Sequence, residues 1–173
     1  MVTKNFKKIM AYVLSRTDYS GASSRYTPTL TDINNDDYIS NQTNRVESSF
    51  GLPNSNPFEE TGSSVTYMGV KVGTGTTEAT EDDYELENVN SDITVDDLQQ
   101  TVTSNILKQY IMTLTNTTES DIDISEVGLY VRAYSQYNSV WNTLTFLLDR
   151  TVLPSPITIP AGTSKTLVYE IGF

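Results

Sequence analysis

From Val65 to Phe173 the chain keeps returning to one pattern. Short runs of alternating apolar and polar residues are broken by Gly, Pro, Asn and Ser. "VTYMGVKV" (Val65–Val72) alternates and stops at Gly73. "ILKQYIMTLT" (Ile106–Thr115) sets Ile106, Tyr110, Met112 and Leu114 on one face and Leu107, Ile111 and Thr113 on the other. A period of two is the mark of a β-strand, and apolar residues on both faces mark a central one. In "DIDISEVGLYVRAY" (Asp121–Tyr134), Ile122 and Ile124 share one parity while Val127, Leu129 and Val131 share the other. One extra residue flips every later side chain, so the spacing predicts a bulge near Ser125–Gly128. "TLTFLLDRTVL" (Thr143–Leu153) reads as a further strand. "LPSPITIPAG" follows with a turn at Pro160-Ala161-Gly162, and "SKTLVYEIGF" (Ser164–Phe173) closes the chain. Strands at this spacing, joined by such turns, predict a mainly β fold: an antiparallel β-sandwich of jelly-roll or immunoglobulin-like type over residues 63–173.

The N-terminal third reads differently. In "TKNFKKIMAYVLSR", Phe6, Ile9, Met10, Val13 and Leu14 fall at helical spacing, with Lys7, Lys8 and Arg16 elsewhere on the surface and Thr3 placed as an N-cap. Residues 1–16 are therefore expected to form an amphipathic helix. Its stripe has three readings: packing on its own domain, anchoring in another subunit, or lying on a membrane surface, the last opposed by its shortness and its lack of an aromatic-rich face. Residues 17–62 show no sustained period. They are rich in Asn, Asp, Ser and Thr and broken by Pro28, Pro53 and Pro57. A structureless stretch of that length is unusual inside a compact domain. The expectation is a long extended arm laid on a partner.

What the chain lacks excludes whole classes of chemistry. It contains neither cysteine nor histidine, so disulfides, zinc sites built on those residues and His-dependent nucleophilic catalysis are ruled out. Its net charge of −11 opposes binding to nucleic acid or to anionic lipid. The charge is uneven: residues 1–25 carry a net +4, leaving −15 on the rest. No run approaches the roughly 18 apolar residues of a membrane span, and the N-terminus has no signal-peptide h-region.

The stretch most suggestive of chemistry is "VGTGTTEATEDDYELEN" (Val72–Asn88), with six carboxylates between Glu78 and Glu87. A phosphate loop is a poor fit, because no Lys or Arg occurs between Lys71 and Lys108. A glycosidase pair needs carboxyl groups with separated pKa values, and clustered solvated acids offer no means of separating them. A structural calcium ion suits the oxygen-rich composition, although the EF-hand register is absent. The remaining reading is architectural. Thr80 caps a short turn through Glu81-Asp82-Asp83, and Tyr84 and Leu86 hold that turn on the sandwich. A second candidate is "AYSQYNSVWN" (Ala133–Asn142), which gathers Tyr134, Tyr137 and Trp141 in what reads as a hairpin tip and offers aromatics for sugar or protein contact.

In order, "VGTGTTEATEDDYELEN", "ISEVGLYVRA" and "LLDRTVLPSPITIPAGTSKTLVYEI" resemble small virion structural proteins of tailed bacteriophages. The pattern is a V-G-T-G-T-T…D-Y-x-L-E stretch, then an E-[VI]-G-L-[YF] strand, then L-x-x-R…P-x-x-I-P-A-G…V-x-Y-x-I. The likeness covers about the last 110 residues and "TKNF" near the N-terminus. It implies a non-enzymatic virion component that assembles by protein–protein contact. No cofactor or metal ligand is assigned, and calcium on residues 78–87 stays open. Its partners would be other virion subunits (capsid, portal or neck, or tail proteins) and further copies of itself, with no nucleic acid and no membrane. On this expectation Phe6, Ile9, Met10, Val13 and Leu14 form a subunit interface, and removing residues 1–62 leaves a folded β domain. The alternative is a glycan- or receptor-binding module using Tyr134, Tyr137 and Trp141.

Overall fold

The computed structural model describes residues 1–15, 29–39, 67–104, 107–137 and 140–172. Residues 16–28 and 40–66, which include most of the predicted arm (17–62), lie outside the described residues. The elements run α1 (Lys4–Ser15), β1 (Thr29–Thr31), β2 (Asp37–Ile39), β3 (Tyr67–Gly73), β4 (Ile93–Ser104), β5 (Leu107–Asn116), β6 (Ile122–Tyr137), β7 (Val140–Ile159) and β8 (Ser164–Gly172). The chain is mainly β. Two three-stranded sheets carry it, ordered β3-β6-β7 and β4-β5-β8, and every pairing is antiparallel.

Alternation explains the burial. On β5, Tyr110, Met112 and Leu114 are buried while Ile111 and Thr113 between them are half-buried. The strand is central, as its two-faced pattern predicts, but only one of its faces is fully covered. The inner residues of β5 join Val70 and Val72 of β3, Val127, Leu129 and Val131 of β6, and Phe146 and Leu148 of β7 in one apolar cluster that draws on both sheets.

Two bulges shape β6 and β7. Between Ile124↔Ile157 and Glu126↔Val152, one residue of β6 (Ser125) stands against four of β7, residues 153–156. Those four include Pro154 and Pro156, which have no N–H to offer a ladder and sit where none is needed. The parity switch in the sequence thus falls at Ser125. A second shift, between Leu129↔Asp149 and Tyr130↔Leu147, leaves Leu148 as the extra residue. Leu147 and Leu148 join different clusters of buried side chains, as neighbours on a strand do by alternation. The turn after β7 is also as expected: Gly162 has φ +65°, and Thr163 N donates to Pro160 O at 3.1 Å.

The N-terminal region corrects two expectations. First, Phe6 and Ile9 of α1, predicted at a subunit interface, are buried in the core of the same chain. Thr3 does cap the helix, its Oγ1 accepting from Phe6 N at 3.4 Å while donating to Leu147 O at 2.8 Å. Second, the predicted arm is not wholly extended, since residues 29–39 form the β1–β2 hairpin and Leu30 is fully buried in the same core. Asp32 builds the turn by accepting from Asn34 N at 2.9 Å and Asp36 N at 3.0 Å, and Asn35 takes a left-handed φ of 64°. Helix and hairpin are joined by a reciprocal amide pair: Asn5 Nδ2 to Thr31 O at 2.6 Å, and Thr31 N to Asn5 Oδ1 at 2.9 Å. With Phe6, Ile9 and Leu30 in the core, loss of residues 1–62 would uncover apolar surface rather than leave an intact domain.

β4 is an element that alternation does not reveal. "ITVDDLQQTVTS" carries Asp96-Asp97 and Gln99-Gln100 at its middle, and its pairing with β5 slips between Asp96 and Gln99. The slip breaks the period of two, and partnership with β5 supplies the strand.

Candidate functional site

β6 buries both faces. Val127, Leu129 and Val131 point into the shared core, while Glu126, Gly128 and Tyr130 have the opposite parity and lie under the acidic loop, residues 74–92. Gly128 explains how closely that loop can approach. A Cβ there would stand 2.8 Å from Leu86 Cδ2 and 2.9 Å from Tyr130 Cε2. Leu86 is buried against Tyr130 and Leu147, and its N–H donates to Tyr130 Oη at 3.0 Å. Burial pushes the Tyr130 hydroxyl pKa well above its usual value. At its start the loop continues β3: Gly73 bridges to Val89, Thr74 N donates to Asn88 O at 2.9 Å, and Asn90 N donates to Val72 O at 2.9 Å.

Beneath the loop lies the densest ionic cluster among the described residues. Arg150, on β7, is 3% exposed and Glu126, on β6, is 0% exposed. Arg150 Nε donates to Glu126 Oε2 at 2.8 Å, Nη1 to Asp83 Oδ2 at 2.8 Å and Nη2 to Thr77 O at 3.1 Å, with Glu87 Oε2 3.4 Å from Nη2. Glu126 is filled from its other sides by backbone. Gly75 N (3.0 Å) and Asn88 N (2.8 Å) reach Oε1, and Glu87 N (3.1 Å) reaches Oε2. A buried carboxylate is tolerated when its lone pairs are satisfied in this way and a cation faces it.

The outer acids are engaged as well. Glu87 Oε2 accepts from Thr76 N and Thr77 N, both at 2.8 Å, and its Oε1 accepts from Thr77 Oγ1 at 2.6 Å. Thr80 closes the predicted turn: Asp83 N reaches Thr80 O at 3.4 Å, and Asp83 accepts from Thr80 N at 3.0 Å and Thr80 Oγ1 at 2.8 Å. Leu86 is the buried anchor of this segment and Tyr84 is half-buried. Burial works to raise the Asp83 pKa, but hydrogen bonds from Arg150 and Thr80 outweigh it and hold the carboxyl below its usual range. The Thr77 hydroxyl and the Thr76 and Thr77 amides, helped by Arg150, do the same for Glu87. Desolvation disfavours the Arg150 charge, yet Asp83 and Glu126 more than restore it. At the loop's far edge, Lys4 pairs with Asp82 and Lys7 with Glu81 across exposed surface, and Lys4 N donates to Glu81 O at 2.8 Å.

The chemistry open to this arrangement is narrow. Carboxyl groups held below their ordinary range stay ionised near neutrality and have no proton to give, whereas a glycosidase acid must be protonated there. The position a calcium ion would take among Asp83, Glu87 and Glu126 is filled by the Arg150 guanidinium. Among the described residues, no three acidic side chains stand so as to hold a metal ion. A shallow cleft of about 380 Å³ opens beside Arg150, between Thr77 and the 82–87 segment. Four of its lining side chains are the acids Asp82, Asp83, Glu85 and Glu87.

No family model, no curated protein and no solved structure matches this chain.

The other expected site residues are placed as follows. Phe6 and Ile9 are core, and Met10, Val13 and Leu14 lie on α1 with side chains outside the described set. Tyr134 and Tyr137 lie on β6 and Trp141 on β7, strands rather than loop, and the register sets Tyr134 opposite Thr143 and Gln136 opposite Trp141. Residues 138–139 at the tip, and the side chains of residues 132–143, fall outside the description. Arg150 and Glu126 were not singled out by motif reasoning. The signal for them was present, because each is a charge embedded in an apolar strand, "ISEVGLYV" and "FLLDRTVL", where an unpaired charge is prohibitively costly.

Proposed function

We propose that this chain is a non-enzymatic structural component of a tailed-bacteriophage virion, assembling on the head, neck or tail by protein–protein contact. Its two sheets, sharing one core, would then be the halves of an antiparallel β-sandwich of jelly-roll or immunoglobulin-like type. One observation carries the reading. The three stretches behind the phage resemblance converge on a single cluster: Gly75, Asp83 and Glu87 from the first, Glu126 from the second and Arg150 from the third. A pattern whose polar residues are spent on one another describes a scaffold, and what such a scaffold offers is surface. Its partners would be capsid, portal, neck or tail subunits and other copies of itself. The test is co-purification. In density-gradient-purified particles from cells expressing the parent phage, quantitative mass spectrometry should find the chain at a fixed copy number per particle. A chain recovered only in the soluble lysate fraction contradicts the proposal.

A second reading draws on the β6–β7 hairpin. Beyond Tyr67↔Arg132, the last described rung with β3, β6 and β7 stay paired as far as Tyr137↔Val140. The rungs carrying Tyr134, Tyr137 and Trp141 are thus at the hairpin's end, where a receptor- or glycan-binding module would present aromatics. Specific glycan-array binding that is lost in Trp141→Ala would favour this reading over pure scaffolding.

A further inference from the structure

Four strands form the edges of the two sheets, and three of them carry features that discourage a further strand. β7 contains Pro154 and Pro156 and is met along its edge by the N-terminal region, through the Val2–Asp149 bridge and the Ile33 N to Thr145 O bond at 3.1 Å. β3 ends under the acidic loop, where Gly73 bridges Val89 and Asn90 N donates to Val72 O at 2.9 Å. β4 slips register between Asp96 and Gln99 and carries two adjacent acids, Asp96 and Asp97. β8 has none of these devices. Its pairing with β5 runs without a slip and it contains no proline. Among the described residues it pairs with β5 alone.

The register fixes which backbone groups of β8 face outward. Asn116 N donates to Thr163 O at 2.9 Å, which makes these two a hydrogen-bonded pair. Such pairs recur at every second residue of an antiparallel ladder. Lys165, Leu167, Tyr169 and Ile171 therefore turn their N–H and C=O groups towards β5, opposite Leu114, Met112, Tyr110 and Lys108. Ser164, Thr166, Val168 and Glu170 turn theirs away from it. The side chains of these same four residues are exposed on the outer face of the sheet. That face is polar at its ends: Thr115 Oγ1 and Ser164 Oγ lie 2.8 Å apart, and Gln109 Nε2 donates to Glu170. Between them Val168, 50% exposed, stands opposite half-buried Ile111. An open ladder and an uncovered apolar side chain thus coincide at Val168.

We propose that two copies of this chain associate edge to edge through antiparallel β8 strands, about a two-fold axis at Val168, joining their β4-β5-β8 sheets into one sheet of six strands. An axis normal to the sheet keeps both outer faces on one side and matches outward-turned residues with outward-turned residues. Centred at Val168, it sets Val168 against Val168 and Thr166 against Glu170, so that Ile111 and Val168 of both copies form one apolar row. Moving the axis by one residue puts Val168 opposite Thr166 or Glu170 instead, and moving it to Glu170 sets like charges together. Charge also selects this edge. In a chain of net −11, copies repel over most of their surface, whereas β8 holds one Lys and one Glu. The proposal deepens the scaffold reading above by naming where copies meet, and rests on it only for why copies should be partners.

The chain contains no cysteine, so single cysteines in the full chain report the register. Val168→Cys places two thiols on one hydrogen-bonded rung, with Cα atoms about 5.5 Å apart and within disulfide range. Thr166→Cys is displaced from its own mate by four residues, about 13 Å along the strand. Under mild oxidation Val168→Cys should form a disulfide dimer at least about tenfold faster than Thr166→Cys or Glu170→Cys alone, and mixing the last two should restore the fast rate. Val168→Lys changes an exposed side chain and sets two cations together. It should weaken self-association in sedimentation by at least about tenfold and leave the thermal midpoint unchanged. Equal rates for all three cysteine variants, or undiminished self-association of Val168→Lys, overturns the β8 seam. Either result from a chain that is present in purified particles leaves the assembly reading standing. Register-specific crosslinking by a chain absent from particles sustains the seam and overturns the assembly reading instead.

Discussion

The acidic loop makes ion pairs at both of its ends, and the two ends have different physics. At Glu81 and Asp82 the carboxylates meet Lys7 and Lys4 in solvent, where water competes for each charge and salt screens it. From the very next residue on, Asp83 and Glu87 meet Arg150, whose side chain is 4% exposed and which also holds the fully buried Glu126. The buried end is planar, multidentate and filled out with backbone N–H donors, as Arg suits and Lys does not. The same residue types thus serve as loose fastening at one end and as architecture at the other. Burial decides which.

Removing one partner of the buried set should break the comparison most sharply. Arg150→Met leaves Glu126 as an uncompensated buried charge, and Glu126→Ala leaves Arg150 and three backbone N–H groups short of an acceptor. Each is expected to cost about 3–5 kcal/mol in urea unfolding. A loss under about 1 kcal/mol would mean that the cluster is far more hydrated than its geometry indicates. Next comes Gly75→Ala. Its Cβ would stand 2.5 Å from Glu126 Oε1 and 2.6 Å from Glu87 Cβ, so the loop must shift, at a cost of about 1–3 kcal/mol. Normal stability for this variant would show that the loop is not seated on the cluster.

Acid and alkali separate the cluster from the core. Asp83 and Glu87 bind their protons less tightly folded than unfolded. Their contribution is therefore complete above the ordinary carboxylate value of about 4 and is lost as pH falls through the lower folded values. Asp83→Asn should flatten that acid limb. An unchanged limb would remove Asp83 from the account. At the alkaline side, burial pushes Tyr110 up to about 12 and raises Tyr130 and Tyr169 as well, the last with help from Asp149. Folding then favours their neutral forms, and this stability is complete below about pH 10 and lost as pH rises towards the folded values. Absorbance titration should show these tyrosines ionising late, together with unfolding. The smallest effect is expected at the exposed end. Lys4→Ala and Lys7→Ala should leave the thermal midpoint essentially unchanged, and added salt should matter as little. A marked loss would erase the distinction between the two ends.

Strands stood out in the sequence wherever alternation survived: β3, β5, β8 and the parity switch on β6 that marks the bulge at Ser125. So did the caps, because Thr3 and Thr80 act through neighbours three residues away. What escaped depended on distance or on polar pairing. β4 hides behind a bulge and paired acids. The β1–β2 hairpin, with Leu30 in the core, is built by Asp32 and Asn35 turn chemistry in a segment whose composition reads as unstructured. The helix stripe was visible at Phe6 and Ile9, but its destination depended on surfaces far along the chain. For the site, the loop's acids were conspicuous and their cation was not. Arg150 lies 63 residues beyond Glu87, and only the antiparallel pairing of β6 with β7 sets it beside Glu126.

The central claim is that Glu126 and Arg150 act as one structural unit under the loop. A double-mutant cycle tests it directly, comparing Glu126→Gln, Arg150→Met and the double variant by urea unfolding. If the two residues form one unit, the double variant loses far less than the sum of the singles, with a coupling of about 2–3 kcal/mol. Additivity to within about 0.5 kcal/mol would contradict it.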